Sequence, residues 1–319
     1  MLRALMALLL LAGPAAAQGT MQGFPDRPIR VVVVFGPGGG ADTTVRLLAA
    51  PMAQVLGQQV LVENRSGAGG TQGGQVVAQS APDGYTLMAD ASALVVRHKL
   101  HPNLGFDYLR DFAPVARLSV MPLLLVVPPN ERAEGLREYI AELKRQQLPV
   151  QYAVAGIGSA SHFAGLYFLQ RAGVRGEAVA YRGGSTGAME VVTGDTRLNF
   201  ATTPSAVSLV QGGRLRAMAV SSERRMAVLP EVPAVAETLP GFALTEWIGL
   251  YAPAGTPQPV LARLHQALRH ALAVPEVVAR LADVGAEPAL LEGAGFGRFI
   301  DEQRALMTGL ADAAGMKPE

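Results

Sequence analysis

Four runs of small residues carry the chemistry this sequence offers, each lying between an apolar stretch and the start of an amphipathic one. They are Gly36-Pro37-Gly38-Gly39-Gly40-Ala41 ahead of Asp42, Gly158-Ser159 ahead of Ser161 and His162, Gly183-Gly184-Ser185-Thr186, and Thr202-Thr203-Pro204-Ser205. A strand, a small-residue turn and a helix start in that order leave first-turn N–H groups without intrahelical partners, at the positive end of the helix dipole. Missing side chains let a ligand approach the main chain, so each run is a candidate anion site. A charge-assisted hydrogen bond nets about 1.5–3 kcal/mol, and a micromolar complex needs about 8 kcal/mol. Several such donors suffice without a buried Lys or Arg, and this uncharged set suits a carboxylate better than a phosphate diester or a polyanion.

Two side chains at these turns read in two ways. Asp42 either caps its helix or accepts from an ammonium or hydroxyl group of a ligand. His162 is either a donor to a ligand carboxylate or a packed histidine. Two further patterns name enzymes. Gly36 to Ala41 matches G-x-G-x-x-A after a strand, with Glu63 near the place of a ribose-binding acid, but Pro37 removes one phosphate-facing N–H. Gly183-Gly184-Ser185-Thr186-Gly187 matches the G-x-S-x-G elbow, with Asp195 and then His265 or His270 in hydrolase order. Both histidines share a segment with the Leu261, Leu264 and Leu268 stripe, which sets them on its solvent face. No His, Glu or Asp grouping has metal-ligand spacing, and no cofactor or metal is expected.

The elements that must position these turns alternate, apolar strand with amphipathic helix, the pattern of an α/β fold with helices on a largely parallel sheet. The predicted strands are 31–35, 60–63, 85–89, 123–127, 150–154, 178–181, 198–201 and 215–220. Past Pro240-Gly241 the chain reads as mostly helical, with stripes at Leu261, Leu264, Leu268 and Leu272, then Val278, Leu281 and Val284, then Phe296, Phe299, Ile300 and Leu306. Helices with no sheet of their own need a surface to cover, so they are expected to fold back on the N-terminal sheet. The middle segment then becomes an insertion joined by two crossings, near Met121 to Leu124 and near Ala243 to Ile248, and two crossings make a hinge. One lobe is expected at 26–123 plus 246–319, the other at 124–245.

With 319 residues and 50% hydrophobic content, the chain can fill two cores. Met1 to Ala17 has one base, Arg3, an apolar stretch from Ala4 to Ala12, and small residues at Ala15 and Ala17, the pattern of an export signal cleaved near Ala17. No later stretch has 18 uninterrupted apolar residues, so a periplasmic protein that is not itself membrane-embedded is expected. The absence of Cys excludes disulfides, thiolate catalysis and cysteine-ligated metals. The 27 Lys+Arg and 26 Asp+Glu become 26 of each once Arg3 is removed, and such a neutral chain lacks the concentrated positive charge that nucleic acid requires.

The order and spacing of several stretches add a family. These are Pro28 to Val33 with Pro37 to Asp42; Val62-Glu63-Asn64-Arg65-Ser66-Gly67-Ala68-Gly69-Gly70; Ala81-Pro82-Asp83-Gly84-Tyr85-Thr86-Leu87; Asp111 to Val115; Tyr152-Ala153 with Gly156, Gly158-Ser159 and Ser161-His162; Leu229 to Pro233; and Ala252 to Pro257. Over nearly all of its length after the signal, the chain resembles the substrate-binding proteins of tripartite tricarboxylate transporters, the Bug family of periplasmic receptors. The resemblance implies a type II periplasmic-binding-protein fold in which two α/β lobes close over a small organic acid. It also implies a monomer that hands the acid to membrane transporter subunits. A receptor serving a membrane sensor kinase is the alternative. Implied ligand contacts are Phe35, Gly36, Pro37, Gly38, Gly39, Ala41 and Asp42 in the first turn, Asp90 and Ser92 after the third strand, and Gly158, Ser159, Ser161 and His162. Gly183, Gly184, Thr202 and Thr203 complete the set. The chain departs from the family where Gly36 stands for Pro, where Asp90-Ala91-Ser92 stands for a Gly-Thr-Ser-like run, and near Ala201 and Thr202, where an acid is usual. Acidity at Asp90 would change which end of a ligand is recognised. Arg97-His98-Lys99 replaces a neutral segment and reads as a solvated loop.

Overall fold

The computed structural model describes residues 23–102, 104–313 and 316; the export segment expected at Met1 to Ala17 lies outside them. Strand β1 (Ile29–Val33) leads through helix α1 (Gly40–Leu56) to β2 (Val60–Asn64), and α2 (Thr71–Ala78) leads to β3 (Thr86–Ala91). β2 and β3 pair on either side of β1, all three parallel. Helices cover both faces of such a strand, so β1 needs an unbroken apolar run, and Val31, Val32 and Val33 are buried. Each buried valine contributes about 1.5–3 kcal/mol relative to exposure.

Helix α3 (Leu94–Leu100) occupies the segment read as a solvated loop, and that reading is corrected. Arg97 is 1% exposed, and its guanidinium bonds both oxygens of the fully buried Asp90 and the Gly69 carbonyl. A short basic run is a poor guide when one member has a buried acid to meet, and Asp90 ends the strand just before the helix. His98 stays exposed, and Lys99 pairs with Asp312.

Strand β4 (Phe112–Val127) joins two sheets. Up to Pro122 it pairs antiparallel with β9 (Thr245–Pro253); from Leu123 onward it pairs with β7 (Leu198–Thr202) and β8 (Arg216–Val220). Between these lie α4 (Leu136–Lys144), β5 (Val150–Val154), α5 (Ala160–Ala172), β6 (Gly176–Ala180), α6 (Gly184–Thr193) and α7 (Thr203–Gln211). One sheet therefore runs β2-β1-β3-β9-β4, and the other runs β8-β4-β7-β5-β6. Two segments pass from sheet to sheet side by side, and buried Ser221 ties them together. Its Oγ accepts from the Leu123 N–H (2.8 Å) and donates to the Leu244 carbonyl (2.5 Å), while the Leu244 N–H donates to the Ser221 carbonyl (3.0 Å).

The C-terminal region is less helical than its sequence suggests. β9 is a central strand buried almost throughout, and β10 (Glu287–Glu292) adds to the edge of β4. Neither shows the alternation of a half-buried strand, and Gly249 interrupts the apolar run of β9, so the periodicity hid both. A Cβ at Gly249 would meet the Phe296 ring at 2.6 Å, so the glycine makes room for that ring. Helices α8 (Gln258–Ala273), α9 (Pro275–Asp283) and α10 (Gly293–Ala313) fold back on the first sheet, α8 against α1 and α10 against α3 and β4. Trp247 meets Phe296 and Phe299 edge-on there.

Candidate functional site between the lobes

All four small-residue turns reach one narrow, partly open cleft, in which the centres of water-sized spheres have about 30 Å³ of room. α1 contributes Gly39, Gly40 and Ala41; α5 contributes Ser159 and Ser161; α6 contributes Gly184; and Thr202 stands at the start of α7. Phe35, Ala91, Ala155 and Ile248 supply apolar wall, and Glu246 supplies a carboxylate. The cleft continues past Phe35 and Ala155 along Gly67 to Gly70, Tyr181 and Arg182.

The helix starts differ in what they can donate. The N-cap residues of α1, α6 and α7, which are Gly39, Gly183 and Thr202, make no side-chain cap bond, so the first-turn amides of three helices keep their donors. α5 is capped by its own Ser159, whose Oγ accepts from the His162 N–H at 3.3 Å. Ser159 also donates to the Gly156 carbonyl at 2.6 Å and sits 2.9 Å from the Ser161 hydroxyl, which accepts from the Ala155 N–H. With the Ser159 proton committed to Gly156, Ser161 is the donor in the Ser159–Ser161 bond. On the far wall, Thr202 and Ser205 share a hydrogen bond of 2.8 Å.

The remaining residues named from the sequence have other partners and do not line this cavity. Asp42 is buried; one oxygen accepts from the Gly38 N–H (2.8 Å), the other from Arg46 and Asn64 (2.9 Å each), so it caps its own turn. Asp90 is held by Arg97, which neutralises the acidity that the departure from the family pattern introduces. The Ser92 N–H donates to Glu246 at 3.0 Å. His162 is buried, accepts from the Gly158 N–H through Nδ1 (3.0 Å), and has its pKa lowered by burial to about 4, which keeps it neutral. Thr203 donates to the Gly285 carbonyl at 2.9 Å.

Gly36, Pro37, Gly38 and Gly183 form the contact between lobes. The Gly36 N–H donates to the Arg182 carbonyl (3.2 Å), Ser185 Oγ to the Pro37 carbonyl (3.2 Å) and Ser205 Oγ to the Gly38 carbonyl (3.5 Å). Gly38 has φ of +74°, and a Cβ there would lie 3.0 Å from Ser185 Oγ, so the turn needs glycine both for its conformation and for closeness. Ser185 thus faces the opposite lobe. The histidines of the elbow reading lie elsewhere: His265, expected on a solvent face, is half-buried and bonds the Val115 carbonyl at 2.9 Å, and Asp195 accepts from Thr193. Glu63, the candidate ribose acid, pairs with Arg30 and Arg65.

Glu246 is the residue the sequence reading missed. It is 4% exposed and, among the described residues, the only ionisable side chain on the cavity wall. Its Oε1 accepts from the Ser92 and Trp247 N–H groups, each at 3.0 Å. Burial pushes its pKa up to about 7 against the lowering effect of those bonds. The signal available was an acid inside the run Phe242 to Tyr251, where a buried strand has no ordinary use for one.

Comparison with known proteins agrees with this architecture. The model of the tripartite tricarboxylate transporter family receptor matches residues 44–316. Protein BugT of Bordetella pertussis is 31% identical over 319 residues, covering 99% of this chain and 98% of that protein. Two solved structures superpose on nearly the whole fold. R. palustris Rpa4515 with adipate has a TM-score of 0.89 and 28% identity, covering 93% of this chain and 100% of that one. MatC (Rpa3494) from Rhodopseudomonas palustris with bound malate has a TM-score of 0.83 and 33% identity, covering 90% and 99%. The chain accordingly belongs to the tripartite tricarboxylate transporter receptor family.

Proposed function

We propose that this protein is a periplasmic receptor that captures a small organic carboxylate between its lobes and delivers it, unaltered, to the membrane subunits of a tripartite tricarboxylate-type transporter. The observation that carries this reading is the meeting of three uncapped helix starts, from both lobes, on a cavity whose wall, among the described residues, holds no Lys, Arg or His. Backbone amides and dipole ends grip a carboxylate there, and the Ser161 hydroxyl adds a donor when its proton turns from Ser159 to the ligand. Gly39, Gly40, Ala41, Ser161, Gly184 and Thr202 are the proposed contacts, with Phe35 packing on the ligand's carbon chain. β4 and the Leu244–Thr245 step form the hinge, stapled by Ser221. Absence of turnover is supported by the separation of Ser185 from an engaged His265 and Asp195. No helix among the described residues is long and apolar enough to cross a membrane.

The test is a thermal-shift screen of mono-, di- and tricarboxylic acids against neutral analogues. A ligand at 100 times its dissociation constant stabilises the native state by about 2.7 kcal/mol, which raises the melting temperature by several degrees. A shift with acids and none with their amides supports the reading; no shift with any acid refutes it.

A further inference from the structure

The receptor reading leaves one group unexplained, a buried carboxylate in a cavity meant for an anion. Ionised Glu246 repels a second carboxylate placed against it, and among the described residues no cation on the wall offsets the repulsion. Resting on the receptor reading, we propose that Glu246 selects the ligand class: acids that carry a hydrogen-bond donor, an ammonium or a hydroxyl group, at the end opposite the carboxylate.

The surroundings of Glu246 fix its role. Oε1 is held by two backbone N–H groups, from Ser92 just past the end of β3 and from Trp247 on its own strand, and the Ser92 hydroxyl also bonds the carboxylate. Those bonds lock the carboxylate in place and leave its acceptor capacity directed to the cavity that it lines. Asp90 on β3 acts electrostatically on Glu246 and is itself bonded by Arg97. Asp42, behind the α1 wall, is consumed by Gly38, Arg46 and Asn64, and His162, behind the α5 wall, is neutral. On β4 the residue opposite Glu246 is Met121. Among the described residues only Ser92 and Trp247 donate to Glu246, so a donor on the ligand has an acceptor to meet there. A donor at that end gains a charge-assisted bond, whereas a second carboxylate binds only after Glu246 takes up a proton. The buried Glu246 holds that proton up to about pH 7, so the choice between ligand classes turns over near neutrality.

The experiment compares chain-matched pairs by calorimetric titration: 4-aminobutanoate and 4-hydroxybutanoate against succinate, 5-aminopentanoate against glutarate, and 6-aminohexanoate against adipate. At pH 8 the wild type is expected to bind the donor-ended member of a pair about 10-fold or more tightly, the size of one charge-assisted bond. Glu246→Gln keeps an acceptor for Ser92 and Trp247 and is expected to erase or reverse that preference. In the wild type, lowering the pH from 8 to 6 is expected to weaken the amino acid and tighten the diacid, a readout that needs no variant. A wild-type preference for diacids at pH 8, or the same preference in wild type and Glu246→Gln, overturns the assignment while any bound acid leaves the receptor reading standing. Binding of neither series overturns it as well, and the receptor reading falls with it only if the wider acid screen is also blank.

Discussion

The contact between lobes makes a prediction that separates binding from stability. Gly183 has φ of 170°, extended backbone open to any residue, so a side chain there introduces no local strain. A Cβ would meet only the opposite lobe, at 3.2 Å from Gly36 N and 3.4 Å from Gly36 Cα. Gly183→Ala asks the lobes to part by tenths of an ångström, and Gly183→Leu prevents them from meeting. Preventing contact forfeits the Gly36, Ser185 and Ser205 hydrogen bonds, two at 3.2 Å and one at 3.5 Å. At about 0.5–1.5 kcal/mol each, with the longest counted lightly, this loss is roughly 1–3 kcal/mol, or about 5- to 150-fold in affinity. Titration calorimetry with an acid found by the thermal-shift screen should place Gly183→Leu in that range and Gly183→Ala below about fivefold. Chemical denaturation without ligand should place both within about 0.5 kcal/mol of the wild type. Wild-type affinity in Gly183→Leu would refute the claim that binding needs the lobes to meet, and equal losses of affinity and stability would make Gly183 a folding residue.

Other positions give predictions of a different kind. Arg97→Met leaves Asp90 buried without its cation and should destabilise by about 3–5 kcal/mol in denaturant titration, with Asp90→Asn/Arg97→Met recovering part of the loss. Ser159→Ala removes the α5 cap and should cost about 0.5–2 kcal/mol without ligand; from the turn alone, this serine would be expected to affect binding and spare unliganded stability. For Glu246 the folded pKa of about 7 lies above the ordinary 4.5, so the folded state holds the proton more tightly. Its cost is absent below about pH 4.5 and complete above about pH 7, so melting temperatures of Glu246→Gln and wild type should coincide at low pH and diverge as pH rises, the variant gaining on the order of 3 kcal/mol by pH 8. Parallel melting curves across that range would contradict the assignment.

The parts of the fold that follow local rules were legible in the residues. β1, the glycine turn and α1 are a run of valines, a loop without side chains and an amphipathic stretch, and each decides its own conformation. The four turns were visible for the same reason. What escaped depends on partners distant in sequence. β9 is central and buried on both sides, so it lacks a period, and its pairing with β4 joins residues more than 120 positions apart. Arg97 reads as surface until Asp90 and the Gly69 carbonyl are placed beside it. Among the site residues, backbone donors could be guessed from glycine, but which amides were already taken could not. Asp42 occupies the Gly38 N–H and His162 the Gly158 N–H, choices set by side-chain geometry over four residues.

The central claim is that donors from both lobes hold one carboxylate and leave it chemically intact. Titration of the purified chain with a ¹³C-carboxylate-labelled acid, followed by NMR of the bound and then the released ligand, tests it most directly. The account predicts one ligand per chain, a shifted carboxylate signal in the complex, and release of the same acid unchanged. A signal that stays at its free position at saturating protein, or recovery of a converted product, would contradict it.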